Sequence, residues 1–552
     1  MAAFMKGAVF FLTGCILFLS IQRLFVPKWN YPGVAENMTY TLESFYRLEK
    51  DTEDILFLGT SHMEFAVSPM EIYRNEGISS YNLGTSGQPI ATTYTLIREA
   101  LKTQSPRVIV LDVSSLFFGQ EGTGEPSWRY VIDTMPMSGN KTDLIRTYCQ
   151  WKQNQLPEND LGADRIKDTC SGLLPLMYYH SRWSELVFED FRDYLPSDKS
   201  YASGYFPYSR FAPAEFTLDQ MNAYAADLSK DIQKTVVQHS DGVESVIREE
   251  DHLYDPQISE ENGRWLMKIR ELCENNHTEL LLIKVPSICN PLSYPSAWTD
   301  IRSAYMKEYA STHGFKYLDL VYDVDLGLDM DRDFLDGGMH LNHLGTKKTS
   351  AFLGDYLADH YAVPAGKNRK MDADMALYLD VTGIAEMELE TDLCRYLELL
   401  GKNAEKYLIL LAARDDMSTG LSAEDILSLH ELGLQADFIS HPGQREAYLA
   451  VIDGGEILYE AASNRTLEYD TQVNGNMNLH LGSAGWMTGA KAEIRIDEKE
   501  YAVNGVGMNI VVVDRSTGNV VDSVSFNTYA KDHTCKRNNS MTYLDDYWMA
   551  VS

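Results

Sequence analysis

The run Asp54-Ile55-Leu56-Phe57-Leu58 constrains this chain more than any other feature, because it leads directly into Gly59-Thr60-Ser61-His62. A short apolar run bounded by turn residues marks a strand buried on both faces, and such strands belong to parallel sheets covered by helices on each side. Similar runs recur at Ser80–Leu83, Arg107–Val113, Glu279–Val285 and Lys316–Leu320. Helical patterns, such as Thr41–Glu49, Thr92–Thr103 and Ser259–Asn275, lead into or separate most of them. Strand and helix alternating in this way predicts a three-layer α/β/α fold with a parallel sheet. Open sheets of this kind bind ligands beyond the carboxyl ends of their strands, which is where the Gly59–His62 turn places Ser61.

A serine hydroxyl is a weak nucleophile until a base within hydrogen-bond reach takes its proton. The second informative stretch, His340-Leu341-Asn342-His343-Leu344-Gly345, supplies that base late in the chain, with Asp336 four residues ahead of His340. Serine early and acid and histidine late is one chain order in which a triad can assemble. Two histidines are candidates for the base, His340 and His343, and His343 also reads as the start of the following helix. Asp336 and Asp333 are both candidates for the orienting carboxylate. His62, beside Ser61, reads as a packing or substrate contact rather than the base.

These blocks resemble the SGNH/GDSL hydrolase superfamily, in particular its membrane-anchored, cell-surface branch associated with polysaccharide O-acetylation. The resemblance runs from Asp54 to Tyr361. Asp54–His62 is similar to the nucleophile block, and Ser80-Tyr81-Asn82-Leu83-Gly84-Thr85-Ser86-Gly87-Gln88 to the second block. Arg107–Phe117 is similar to the third strand and Phe334–Gly345 to the closing block. The resemblance implies Ser61 as nucleophile, His340 as base, Asp336 as its partner, and the N–H groups of Ser61 and Gly84 as oxyanion donors. Two departures stand out. Asp336-Gly337-Gly338-Met339-His340 has one residue more than the family spacing, and the third block lacks the Gly-x-Asn-Asp that supplies an asparagine donor.

At 552 residues, the chain exceeds one ordinary core and predicts two to three domains. Its 44% apolar and 11% aromatic content is that of folded protein. A net charge of −32 argues against a nucleic-acid partner, whose phosphates call for a basic face. Gly7–Ile21 carries no charge, and apolar character resumes after Gln22 and Arg23 up to Val26. With Arg23 snorkelling to the interface and Trp29 as an interfacial anchor, residues 1–30 read as an uncleaved transmembrane signal anchor. The bulk of the chain is then expected outside the cell membrane, as in the resembled branch. The seven cysteines (15, 149, 170, 273, 289, 394 and 535) show no metal spacing, and an extracellular setting permits one or two bridges among them. No cofactor is expected.

Residues 31–365 read as the hydrolase-like domain, interrupted at about 118–255 by an insertion rich in Tyr, Trp, Asp and Ser. Its aromatics either line a sugar groove or pack the insertion on the core, and packing is the simpler expectation. A polar break rich in Pro and Gly falls at Ala362–Met371, and beyond it 371–552 reads as an α+β domain. Tyr407–Asp416, Leu432–Leu434, Arg445–Ile452, Val503–Val513 and Ser525–Tyr529 resemble segments of the PANDER-like domain of interleukin-like EMT inducers, also found in the stem of the protein O-mannose N-acetylglucosaminyltransferase. They occur in swapped order, as in a circular permutation. The resemblance implies a carbohydrate site at Asp415 and Arg445, with Val506 where a further arginine would stand.

Together these readings predict a serine esterase or O-acyltransferase, most simply O-acetyl, acting on cell-surface polysaccharide or another acylated glycan. A transferase would need an acyl donor, and a membrane acyltransferase partner would supply it. The competing expectation is a catalytically inactive glycan-binding or scaffold protein of a cell-envelope polysaccharide assembly system.

Overall fold

The computed structural model describes residues 2–27, 38–117, 124–154, 164–192, 194–195, 202–227, 257–288, 298–436, 443–473, 475, 477–537 and 543–544. Trp29, Cys289 and parts of the 118–255 insertion lie outside the described residues. The chain divides into two units, Met1–Tyr378 and Leu379–Ser552. The division falls inside a helix, Arg369–Leu389, just beyond the polar break expected at 362–371.

The first unit is built on five strands, β1 (Ile55–Leu58), β2 (Ser80–Asn82), β3 (Val108–Asp112), β4 (Glu279–Lys284) and β5 (Lys316–Asp319). They form one sheet in the order β2-β1-β3-β4-β5, and every pairing is parallel. Side chains alternate between the two faces, as the two-residue period of a strand requires. Leu56, Leu58, Ile109, Leu111 and Leu282 enter one buried cluster, with the helices Ile90–Ala100, Glu260–Asn275 and Asp300–His313. Ile55, Phe57, Val108, Val110, Leu281 and Ile283 enter the other, with the helices Ser61–Ala66, Pro69–Glu76 and His343–His360. Each of these fully buried side chains contributes roughly 1.5–3 kcal/mol of burial energy. That is why the strands read as unbroken apolar runs.

Five helices of the first unit are labelled α1 to α5. They are α1 (Ala2–Phe25), α2 (Met38–Phe45), α3 (Ser61–Ala66), α4 (Pro69–Glu76) and α5 (His343–His360). Over Met5–Phe25, α1 is long and apolar enough to cross a membrane. Helix α5 starts where the Asn342 side chain accepts from the N–H groups of Leu344 (3.0 Å) and Gly345 (3.3 Å), so the asparagine of the His340-Leu341-Asn342 stretch is a helix cap. The insertion carries helices of its own, including Glu125–Thr134 and Gly139–Asn154. Its Trp128, Val131, Ile132, Leu144, Ile145 and Tyr148 join the first buried cluster, so in this part the insertion packs on the core. The six described cysteines are free thiols.

The second unit holds a ten-stranded sheet centred on β6 (Tyr407–Asp415), which is flanked by antiparallel neighbours β7 (Ala447–Asp453) and β13 (Gly507–Asp514). Between these in sequence come β8 (Glu456–Ser463), β9 (Leu467–Val473), β10 (Met477–Gly485), β11 (Lys491–Ile496) and β12 (Lys499–Glu500). β14 (Val520–Phe526) and β15 (Cys535–Arg537) extend the far edge. Leu408, Leu410, Leu449, Val451, Leu481, Ile494 and Val511 form its core. The helix Ala423–Glu431 begins with a capping box between Ser422 and Asp425.

Candidate active site

In the order β2-β1-β3-β4-β5 the chain winds to one side of β1 and then to the other, so a crevice opens beyond the carboxyl ends of β1 and β3. β3 ends there in Asp112, and β1 runs from Leu58 into Gly59-Thr60-Ser61. Gly59 follows β1 with φ +154°, and a Cβ at this position would lie 2.7 Å from the Asp112 Cβ at the end of β3. Only glycine allows the two strand ends this close. Thr60 caps α3 by accepting from the His62 N–H (3.3 Å), which makes Ser61 the first residue of that helix.

The Ser61 hydroxyl lies 2.8 Å from His340 Nε2, and His340 Nδ1 lies 2.6 Å from Asp336 Oδ2. The His340 backbone N–H also donates to Asp336 Oδ1 at 2.8 Å. The four-residue spacing is absorbed by Gly337 and Gly338, whose φ values of +79° and +111° curl the loop back on itself. A Cβ on Gly338 would fall 1.7 Å from the Ile288 carbonyl, so no other residue fits that approach. A bridge between Phe334 and Leu341 closes the loop, and the ring of Phe65 from α3 packs 4.6 Å from that of His340. Burial alone would raise the Asp336 carboxyl. Hydrogen bonds from the His340 ring and from the backbone of His340 and Met339 outweigh that and hold it below the usual carboxylate range.

The competing candidates occupy other places. His343 is buried at the start of α5 with Nδ1 3.1 Å from the Tyr205 hydroxyl. Asp333 is buried, accepts from Lys348 Nζ (2.6 Å) and from the Asp329 N–H (2.7 Å), and braces the loop. Gly84 departs from its expected place: its N–H donates to Asn82 Oδ1 at 2.9 Å rather than standing open towards Ser61. Gly84 is instead a packing position, since a Cβ there would meet the Glu64 backbone nitrogen at 2.7 Å. Further along the same loop, the Thr85 N–H bonds the Gly59 carbonyl (3.1 Å), and Gly87 follows with φ +61°. Among the described residues the N–H groups of Ser61 and Gly87 make no hydrogen bond.

Sequence reasoning missed a polar chain beside Ser61. Lys284 Nζ lies 3.0 Å from Ser114 Oγ, Ser114 Oγ 3.1 Å from Asp112 Oδ1, and Thr60 Oγ1 3.3 Å from Asp112 Oδ2. The chain ends at His62, whose Nδ1 is 3.0 Å from Thr60 Oγ1 and whose ring centroid is 5.2 Å from that of His340. Burial, then the charges of Lys284 and His340, hold the His62 imidazole well below its usual pKa, so it is neutral. Its Nε2 has no hydrogen bond among the described residues. Burial raises the Asp112 carboxyl, while the Lys284 ammonium opposes the shift. One signal was readable in advance: a lysine ending the apolar strand Glu279-Leu-Leu-Leu-Ile-Lys284 is rare without a buried partner. No group of His, Cys, Asp and Glu able to hold a metal occurs among the described residues.

In the second unit, Arg445 Nε donates to Asp415 Oδ1 at 2.6 Å. The Arg445 guanidinium lies 4.3 Å from the centroid of Trp486 and 5.1 Å from that of Tyr529, and both rings are largely exposed. Asp415 and Arg445 both adopt left-handed backbone, with φ +71° and +55°. A cavity of about 320 Å³ opens beside Arg445, lined in part by Gln444, Tyr448 and Glu460. Val506 is half-buried just before β13.

A parallel α/β sheet with a serine, histidine and aspartate aligned at its switch point has the anatomy of a serine-dependent acyl-transfer domain. No protein-family model and no curated protein matches the chain. Solved structures similar to it include two from Bacteroides. A candidate acylhydrolase from Bacteroides fragilis NCTC 9343 is 11% identical, with a TM-score of 0.25, covering 58% of this chain and 94% of its own. A GDSL-like lipase from Bacteroides thetaiotaomicron VPI-5482 is 10% identical, with a TM-score of 0.26, covering 59% and 98%. At that level the likeness adds nothing to the geometry above.

Proposed function

We propose that the first unit is a serine esterase or O-acyltransferase of the SGNH/GDSL type, anchored by α1, that acts on acyl esters of extracytoplasmic glycan, with acetyl as the acyl group. The observation that carries this reading is the line of hydrogen bonds from Ser61 Oγ through His340 to Asp336, 2.8 and 2.6 Å long. His340 Nε2 takes the Ser61 proton as Oγ bonds to the ester carbonyl carbon. The imidazolium is steadied by the Asp336 carboxylate. The tetrahedral oxyanion accepts from the Ser61 N–H, which makes no hydrogen bond among the described residues. Collapse breaks the carbon–oxygen bond to the leaving alkoxide, which receives the proton from His340. In the second half, water or a sugar hydroxyl gives its proton to His340 and attacks the acyl carbon, returning Ser61 to its hydroxyl form. Neutral His62 is suited to accept from a hydroxyl of that incoming molecule.

The second unit is a carbohydrate-binding module of PANDER-like type. Asp415 accepts from sugar hydroxyls, Arg445 donates, and Trp486 and Tyr529 offer faces for a pyranose ring.

Ser61→Ala tests the catalytic reading. The full chain is expected to release acetate from p-nitrophenyl acetate and to be labelled by a fluorophosphonate. The variant should lose both, by about a thousandfold or more in rate, while melting at the same temperature. Wild-type activity in the variant would remove Ser61 from the mechanism. No labelling of the wild type would favour a non-catalytic glycan-binding role.

A further inference from the structure

The insertion exposes large apolar side chains close to where α1 ends. Trp183 is 72% exposed, Val187 48%, Phe188 73%, Phe191 57% and Leu195 71%. A soluble monomer rarely leaves such a group to water without a use for it. The same stretch is bonded to the last turns of α1. The Leu176 N–H donates to Gln22 Oε1 (2.9 Å), Arg182 Nη1 to the Phe25 carbonyl (2.8 Å), and the Tyr194 hydroxyl to the Ser20 carbonyl (2.6 Å). Arg23 closes the arrangement, bonding the Tyr194 carbonyl through Nε and Glu43 of α2 through Nη2 (2.6 Å).

These bonds set a depth. From Met5 to Phe25, α1 has 21 residues, about 31 Å at 1.5 Å each, which matches the hydrocarbon core of a bilayer. Ser20 lies five residues before Phe25, so Tyr194 reaches about 7 Å below the end of the helix. Phe191 and Leu195, either side of Tyr194, must then lie at the level of the interface whenever α1 crosses the membrane. Of the charges nearby, Arg182 holds Asp190 at 3.1 Å, with Asp190 buried, while Glu185 is exposed. Before its last turn the described side chains of α1 are mostly bare, with Phe10 83% and Ile16 63% exposed, so the exposed apolar surface of the stretch lies beside that of the helix. Aromatic rings are favoured at this depth, where one side is apolar and the other wet.

We propose that residues 183–192 and 194–195 form a membrane-seating collar, lying in the phospholipid headgroup–acyl boundary around the end of α1. The proposal rests on the reading of α1 as a membrane span. Its effect is to hold the first unit at a fixed height on the bilayer, which a single flexible tether does not do.

The test uses the full chain, reconstituted alone in phosphatidylcholine nanodiscs that contain a diazirine-bearing phosphatidylcholine. After irradiation and proteolysis, lipid adducts are mapped by mass spectrometry. Adducts on both α1 and 183–195 are expected, and a Phe188→Ser/Phe191→Ser double variant should lose most of the adducts in the stretch while keeping those on α1. Adducts on α1 with none on 183–195 would overturn the collar and leave the anchor standing. Adducts on neither would overturn both. Because the diazirine is carried by the phosphatidylcholine, adducts on the stretch report lipid and not a protein partner.

Discussion

His340 is useful only if its ring is held at both nitrogens. Nε2 faces Ser61, and Nδ1 must keep its proton, which Asp336 secures by accepting at 2.6 Å. Asp336→Asn offers an amide instead and favours the wrong tautomer. Turnover of p-nitrophenyl acetate should fall about a thousandfold or more, with little change in melting temperature because the side chain is partly open to solvent. Asp333→Asn is the control. Asp333 pairs with Lys348 inside the loop, so its loss should lower melting temperature and spare the rate constant in protein that remains folded. The reverse pattern would make Asp333 the orienting acid. Both carboxylates were visible as candidates in the sequence. What decides between them is the curl of Gly337 and Gly338, which a residue count along the chain does not reveal.

Helix α3 has only six residues, too few to stand by itself, and two neighbours fix it. Asn82 Nδ2 donates to the carbonyls of Met63 and Val67, both at 2.9 Å, pinning the end opposite Ser61. Glu64 is buried in the same helix, and burial pushes its carboxyl up to about 8, although a hydrogen bond from Tyr208 opposes this. Burial likewise pushes Glu53 up to about 7. The unfolded chain ionises such groups near 4.5, so the folded state holds the extra proton between that pH and the raised value. Their contribution is therefore fully present below about pH 4.5 and is lost as pH rises towards 8. Thermal unfolding of the wild type should shift to lower temperature between pH 5 and 8, and Glu64→Gln should flatten that slope. Parallel profiles for the two proteins would show that Glu64 is ionised in the fold. The elements were unevenly legible. β1, β3 and β4 are apolar on both faces and announce themselves, as does the Ser422 cap of Ala423–Glu431. β9, Leu467-Glu-Tyr-Asp-Thr-Gln-Val473, is exposed at every second position or more, and β10 carries Asn, His, Gly and Ser, so their pairing energy lies in the backbone. Arg369–Leu389 spreads its apolar residues around the axis and gives no amphipathic stripe.

At the scale of the molecule, two units carry two kinds of arrangement: one has a serine, histidine and aspartate joined by hydrogen bonds, and the other has an ion pair flanked by exposed rings. Asp415 and Arg445 each sit in left-handed backbone, a strain of about 1–3 kcal/mol apiece, and strain at two residues that meet is characteristic of a functional site. A purely structural ion pair with a solvent-exposed guanidinium is screened by water and contributes too little to offset that strain. Replacement by glycine separates the two roles. In the full chain carrying Ser61→Ala, so that no ester is consumed, a glycan array should show binding that Arg445→Ala and Trp486→Ala each weaken by tenfold or more, about 1.4 kcal/mol. Asp415→Gly should abolish the same binding yet raise the melting temperature, because glycine adopts φ +71° without cost. If Asp415→Gly instead lowers the melting temperature and leaves glycan binding intact, the pair is structural and the sugar site lies elsewhere.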